Sequence, residues 1–125
     1  GAGALSSSGQ QQFLDHIAEH EIIFDSAIID EAAQTTEPST LIPIRYGCRR
    51  LILVGDPRQL PATVLCPQAE KAGLGVSLFE RLEKSGHEVV MLGVQHRMHP
   101  DICHFPSEHF YQGKLLNADA ITKEV

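Results

Sequence analysis

The sequence predicts an α/β protein organised around a parallel sheet, and three observations carry that reading. Ala27-Ile28-Ile29 and Leu51-Ile52-Leu53-Val54 are short apolar runs of the kind that form strands buried on both faces. Each opens onto polar residues, Asp30-Glu31 in one case and Gly55-Asp56-Pro57-Arg58-Gln59 in the other. These lie at the carboxyl ends of the strands, where open α/β sheets bind ligands. Segments with helical spacing alternate with the runs, which is the pattern of crossover helices joining parallel strands.

Taken in order, residues 1–12 are rich in Gly, Ser and Gln and read as a loop or frayed terminus. Residues 13–21 place Phe13, Leu14, Ile17 and Ala18 at helical spacing. Residues 22–30 read as the first strand, ending at Asp30. Thr36 is a capping residue and Pro38 fits a first helical turn, so a short helix is expected before Gly47. Residues 50–54 form the second strand, and 55–76 a long loop punctuated by Gly and Pro, a type of segment that is uncommon unless functional. Ser77–Lys84 reads as a helix closed by Gly86, with Leu78, Phe79 and Leu82 on one side. Val89-Val90-Met91-Leu92 is expected as a third strand, and Pro100–Tyr111 as mostly helical despite Pro106. At that spacing Phe105, Phe110 and Tyr111 read as core, with base stacking as the functional alternative.

Composition narrows the function classes. A chain of 125 residues is about one domain, and 42% hydrophobic with 21% charged residues is ordinary for a globular protein. A net charge of −6 gives no bulk electrostatic case for nucleic-acid binding, although an acidic domain can carry a local basic groove. Arg45, Arg49, Arg50 and Arg58 form the basic concentration and read as a solvated face. Cys48, Cys66 and Cys103 are odd in number and never spaced as C-x-x-C, which fits reduced thiols in an intracellular protein. No apolar run approaches the ~20 residues that span a bilayer, so no membrane partner is expected. The amino terminus lacks Met, charge and an apolar core of signal-peptide type, and reads as the cut edge of a longer chain.

Asp30 and Glu31 have the chemistry of a hydrolytic site. An acid at a strand end can hold Mg²⁺ through water, because magnesium dehydrates reluctantly, and its neighbour can then deprotonate a water for in-line attack on phosphorus. An acidic pair by itself is more often a helix N-terminal charge or a solvated turn; the apolar run before it and Ala32-Ala33-Gln34 after it sharpen the reading. Gln59 can donate to a phosphate oxygen and accept from a water without adding charge, against the plainer reading of a surface turn at Asp56-Pro57. Arg97 offers a planar fork suited to phosphate, where a lone arginine is otherwise a surface ion pair. No G-x-x-x-x-G-K-[ST] phosphate loop occurs in the chain. A rival metal reading rests on His16-Ile17-Ala18-Glu19-His20, which matches the inverted zinc-protease pattern H-x-x-E-H; its plainer reading is a polar helix face.

Three segments together resemble the superfamily 1 DNA/RNA helicases of the Upf1-like, senataxin-like class. Ile28-Ile29-Asp30-Glu31-Ala32-Ala33-Gln34 looks like motif II, Leu53–Val64 like motif III, and Gln95-His96-Arg97-Met98-His99-Pro100 like the segment around motif IV. The resemblance runs from about residue 5 to residue 118 and implies part of a RecA-like, parallel-sheet P-loop NTPase core. It implies that residues 1–93 are the C-terminal part of a first RecA-like domain and 94–125 the start of a second. By position, Asp30 becomes the Mg²⁺-associated acid, Glu31 the catalytic base, Gln59 the residue coupling the γ-phosphate to the nucleic-acid site, and Arg97 a γ-phosphate contact. ATP, Mg²⁺ and single-stranded RNA or DNA are the implied ligands, and the nucleus rather than the cytoplasm the favoured compartment. Ser6-Ser7-Ser8 falls where a strand-contacting segment would lie, though a serine run is also plain linker. Ala62 and His96 depart from the common pattern, where Pro and Tyr are usual.

The class carries its phosphate loop upstream and motifs V and VI downstream of these segments. The 125 residues alone are therefore expected to hydrolyse ATP negligibly and, with an unpaired strand edge, to fold poorly. The non-enzymatic alternative is an interaction module or pseudo-ATPase derived from a helicase, although Asp30, Glu31, Gln59 and Arg97 are all intact.

Overall fold

The computed structural model describes residues 7–123, which divide into two compact units at the junction of His87 and Glu88. In the first unit, helix α1 (Ser7–Glu19) is followed by strand β1 (Ser26–Ile29), a 3-10 turn (Ala32–Gln34), helix α2 (Glu37–Thr40) and a second 3-10 turn (Pro43–Tyr46). Strand β2 (Arg50–Leu53), helix α3 (Pro67–Lys71) and helix α4 (Leu78–Lys84) complete it. β1 and β2 pair in parallel, with Ser26 opposite Arg50 and Ile29 opposite Leu53. Main-chain bonds extend the pairing past the strands: Val54 N–H donates to Ile29 C=O at 2.8 Å and Ala32 N–H to Val54 C=O at 2.8 Å.

The core of this unit is small and gathers around the end of β1. Ile29, Ala32, Ala33, Ala62 and Leu78 are buried, together with Thr40 and Ser77. α4 packs against the 32–34 turn. Ser77 caps α4, its Oγ accepting the Glu80 N–H at 3.1 Å, as the S-x-x-E pattern predicts. Gly86, at φ +86°, ends it. Phe13, Phe24 and Tyr46 cluster, with ring centroids 5.5 Å apart for Phe13–Tyr46, and tie α1 to the approach to β1.

Several sequence expectations shift. α1 begins at Ser7, six residues before the expected start, because the glutamines that read as loop composition are good helix formers. Gln11 also donates to Asp15 one turn on, at 2.9 Å. The first strand is confined to Ser26–Ile29, since pairing begins only where Arg49 and Arg50 N–H groups meet the Asp25 carbonyl. The sheet is covered on one face: Ile29 is buried, while Ile28 on the opposite face is 69% exposed. The 55–76 loop contains α3, with Pro67 in its first turn. Ser6 lies outside the described residues.

The second unit is a compact β-α-β-α piece: strand β3 (Val94–Gln95), helix α5 (Pro100–Tyr111), strand β4 (Leu116–Asn117) and helix α6 (Asp119–Lys123). β3 and β4 pair in parallel, Val94 opposite Leu116 and Gln95 opposite Asn117. The expected strand at Val89–Leu92 does not form. Pairing starts at Gly93, whose C=O accepts from Leu116 N–H at 2.7 Å, and Val90 and Leu92 are left about four-fifths exposed (79% and 80%). α5 accommodates Pro106, whose absent N–H would have paired with the carbonyl of Ile102, a residue on the solvent side. Gln112, at φ +58°, and Gly113, at φ +70°, turn the chain out of the helix. The aromatic residues of α5 are not core. Phe105 is 67% exposed and stacks on His109 at 5.4 Å, and Phe110 is also exposed.

Candidate functional site

The carboxyl ends of β1 and β2 lie side by side, and both sequence-predicted loops start there. β1 delivers Ile29 into the core and Asp30 and Glu31 to the surface. Asp30 Oδ1 accepts the Glu31 N–H at 3.0 Å. Glu31 is left-handed, at φ 53° and ψ 36°, a conformation that costs a side-chain-bearing residue about 1 kcal/mol and is held here by its neighbours. One neighbour is the Ala32 amide, bound to Val54. The other is Gln34, whose N–H closes the turn on the Glu31 carbonyl at 2.9 Å and whose side-chain Nε2 donates to Glu31 Oε2 at 3.0 Å.

Gly55 lets the two loops meet. A Cβ at this position would lie 2.8 Å from Ala33 N and 3.0 Å from Ala32 N, so no side chain fits without moving the turn that carries Glu31. Beyond it, Asp56 organises the second loop. Its Oδ1 accepts the Arg58 N–H at 3.0 Å, and its Oδ2 accepts Gln59 Nε2 at 3.0 Å. Gln59 N–H also closes on the Asp56 carbonyl at 3.1 Å. Asp30 and Glu31 follow the end of β1, and Gln59 lies in the loop that follows its parallel neighbour β2, all three exposed. Asp56 was legible in the sequence only as half of a turn pair, and its role as the anchor of the Gln59 side chain follows from the Asx geometry.

Arg97 belongs to the second unit, where its exposed side chain projects from a turn built on Gln95. Gln95 uses its whole amide there. Oε1 accepts the N–H groups of Arg97 at 2.9 Å and Met98 at 2.7 Å, while Nε2 donates to the Met98 carbonyl at 2.7 Å and to Asn117 Oδ1 at 2.6 Å. His99 then caps α5 by accepting the Asp101 N–H at 3.3 Å. A lone glutamine next to a basic run gave no signal of this network.

On a flank of the first unit, Glu37 and Arg81 form a two-pronged ion pair at 2.7 and 2.8 Å that links α2 to α4. The Arg81 hydrogen bonds hold the Glu37 carboxyl below its ordinary range, against a partial opposing effect of desolvation and with help from the Arg81 charge. The same bonds raise Arg81. The basic concentration behaves as a solvated face: Arg45, Arg49, Arg50 and Arg58 are exposed, and Arg50 pairs with Asp25 at 2.9 Å. All three cysteines are free.

Among the described residues no three His, Cys, Asp or Glu side chains converge as a metal-binding group. The H-x-x-E-H segment therefore lacks a third ligand, and its His16 and His20 rings sit 4.2 Å apart on an exposed helix end, with His20 Nδ1 engaged by the His16 carbonyl. Among the described residues no helix is long and apolar enough to cross a membrane.

Comparison with known proteins agrees with the motif reading. The AAA domain family matches the chain twice, over residues 3–67 and over residues 74–125. A probable helicase of Arabidopsis thaliana, MAGATAMA 3, is 58% identical over 98 residues, covering 78% of this chain and 12% of that protein. Helicase sen1 of Schizosaccharomyces pombe is 46% identical over 121 residues, covering 96% of this chain and 7% of its own length. A Drosophila melanogaster homologue of regulator of nonsense transcripts 1 is 50% identical over 94 residues, covering 75% and 8% respectively. The chain therefore spans about a tenth of the length of these relatives.

Proposed function

This chain belongs to the AAA domain family, in the Upf1-like superfamily 1 helicase branch, and we propose that it is part of an ATP-driven motor that translocates along RNA or DNA and unwinds it. The observation that carries the proposal is the parallel pairing of β1 and β2, whose adjacent carboxyl ends open onto Asp30-Glu31 and onto the loop that carries Gln59. In this reading residues 1–93 complete a first RecA-like domain and 94–125 begin a second.

The donor set fits a hydrated magnesium ion. Asp30 is exposed, and among the described residues only its Oδ1 is engaged, by the neighbouring amide, which leaves a hard carboxylate oxygen for a cation that keeps most of its waters. When bound, Mg²⁺ neutralises charge on the phosphate oxygens of ATP. The remaining work falls to side chains of this chain. Glu31 takes the proton from the attacking water, and Gln59 leaves Asp56 to contact the γ-phosphate and so reports its presence. Arg97 offsets charge that develops on the transferred group. Because the loop is also closed by the Arg58 and Gln59 main-chain N–H groups on Asp56, the Gln59 side chain can exchange Asp56 for substrate without unfolding it. The helicase relatives support action on single-stranded RNA or DNA, and the nucleus is the compartment favoured in this reading.

The test is steady-state ATP turnover by the full-length polypeptide with and without single-stranded RNA or DNA. Turnover stimulated by nucleic acid and lost in Glu31→Gln is the expected result. Absence of turnover in the wild-type protein refutes the motor and leaves the pseudo-ATPase.

A further inference from the structure

Building on the motor reading above, we infer that Gln34 is a positioning residue that fixes the carboxylate of Glu31 for proton abstraction. A glutamate on the surface samples many rotamers, and a base that wanders loses the alignment on which in-line attack depends. Two constraints remove that freedom here. The left-handed backbone at Glu31 (φ 53°, ψ 36°) sets the direction of its Cβ, and the Ala32 N–H to Val54 C=O bond anchors the next residue to the sheet. The Gln34 amide then takes Oε2 at 3.0 Å, leaving Oε1 to accept a proton.

The chemistry of the donor suits this task. A neutral amide orients a carboxylate without setting a second charge beside it, as a lysine or arginine would. The side-chain bond is also separable from the fold. The turn is closed by the Gln34 main-chain N–H on the Glu31 carbonyl, with support from Thr35 Oγ1 at 3.4 Å, and the Gln34 side chain is exposed. Replacing that side chain leaves no cavity and no unpaired buried group, so its loss reads out as chemistry rather than stability.

The experiment is steady-state ATP hydrolysis by the full-length polypeptide at saturating single-stranded nucleic acid, comparing wild type, Gln34→Met, Gln34→Glu and Glu31→Gln, with thermal unfolding of each. Loss of one hydrogen bond to the base should lower kcat of Gln34→Met by roughly three- to tenfold, with KM for ATP within about twofold of wild type. Gln34→Glu, which sets a second carboxylate against the first, should fall further. Unfolding temperatures should match. Unchanged kcat in Gln34→Met, beside a wild-type activity that Glu31→Gln abolishes, overturns this inference and leaves the motor reading standing. A kcat loss that comes with a fall in unfolding temperature and a parallel shift in KM also overturns it, in favour of a structural role. Wild-type activity that survives Glu31→Gln, or no activity at all, overturns the base assignment and this inference together.

Discussion

Gly55→Ala tests most sharply how closely the two loops must meet. The glycine needs space here, not a left-handed backbone: an added Cβ would lie 2.8 Å from Ala33 N and 3.0 Å from Ala32 N. Ordinary contact needs about 3.5 Å, so the 32–34 turn must retreat by roughly 0.7 Å. The turn has little room to retreat, because Ala32 and Ala33 are buried against α4. A shift of that size stretches the Ala32 N–H to Val54 C=O bond from 2.8 Å towards the limit of hydrogen bonding. Overpacking costs about 1–3 kcal/mol and the weakened bond about 1 kcal/mol more, for about 2–4 kcal/mol of local stability. Hydrogen exchange of the Ala32 amide in the full-length polypeptide reads this directly. Each 1.4 kcal/mol is about tenfold, so protection should fall by about thirtyfold or more. Because the same turn carries Glu31, ATP turnover should fall with it. Undiminished protection of Ala32 in Gly55→Ala would refute the packing argument, since the added methyl would then have found room that the geometry denies.

Two further outcomes follow from the same unit. Ser77→Ala removes a buried cap whose Oγ accepts the Glu80 N–H at 3.1 Å, and should cost about 1 kcal/mol, seen as roughly fivefold faster exchange of the Glu80 amide. Arg81→Ala removes the partner that lowers Glu37 from its ordinary 4.5, and a depressed carboxylate stabilises the fold above its unfolded value and loses that contribution as pH falls through its folded value. The stability gap between Arg81→Ala and wild type should therefore be full at pH 7 and close below pH 4.5, as followed by thermal unfolding across that range.

The parts of the fold that were legible in the sequence are those set by local chemistry. Apolar runs ending in Asp30 and Gly55 announced two parallel strands with polar loops at their tips, and Ser77 with Glu80 announced the start of α4. What the sequence concealed depends on long-range pairing. Val89–Leu92 has the composition of a strand, but parallel pairing starts only at Gly93, where Leu116 meets it, and strand composition cannot report a partner more than twenty residues away. Phe105 and Phe110 have core-like spacing but are exposed on α5. Residue types and motif spacing singled out Asp30, Glu31, Gln59 and Arg97 as candidates, while the bonds made by the side chains beside them could not be read from the sequence. Gln34, Asp56 and Gln95 are polar side chains whose importance lies in which atoms they bind, and that is fixed only once the turns have closed.

The central claim is that the edge shared by β1 and β2 cleaves ATP with Glu31 as the base. Single-turnover phosphate release from ATP by the full-length polypeptide, measured beside nucleotide binding for wild type and Glu31→Gln, tests it most directly. Glu31→Gln should bind nucleotide within a few-fold of wild type while phosphate release slows by about 10²–10⁴-fold. Phosphate release at the wild-type rate in Glu31→Gln would contradict it.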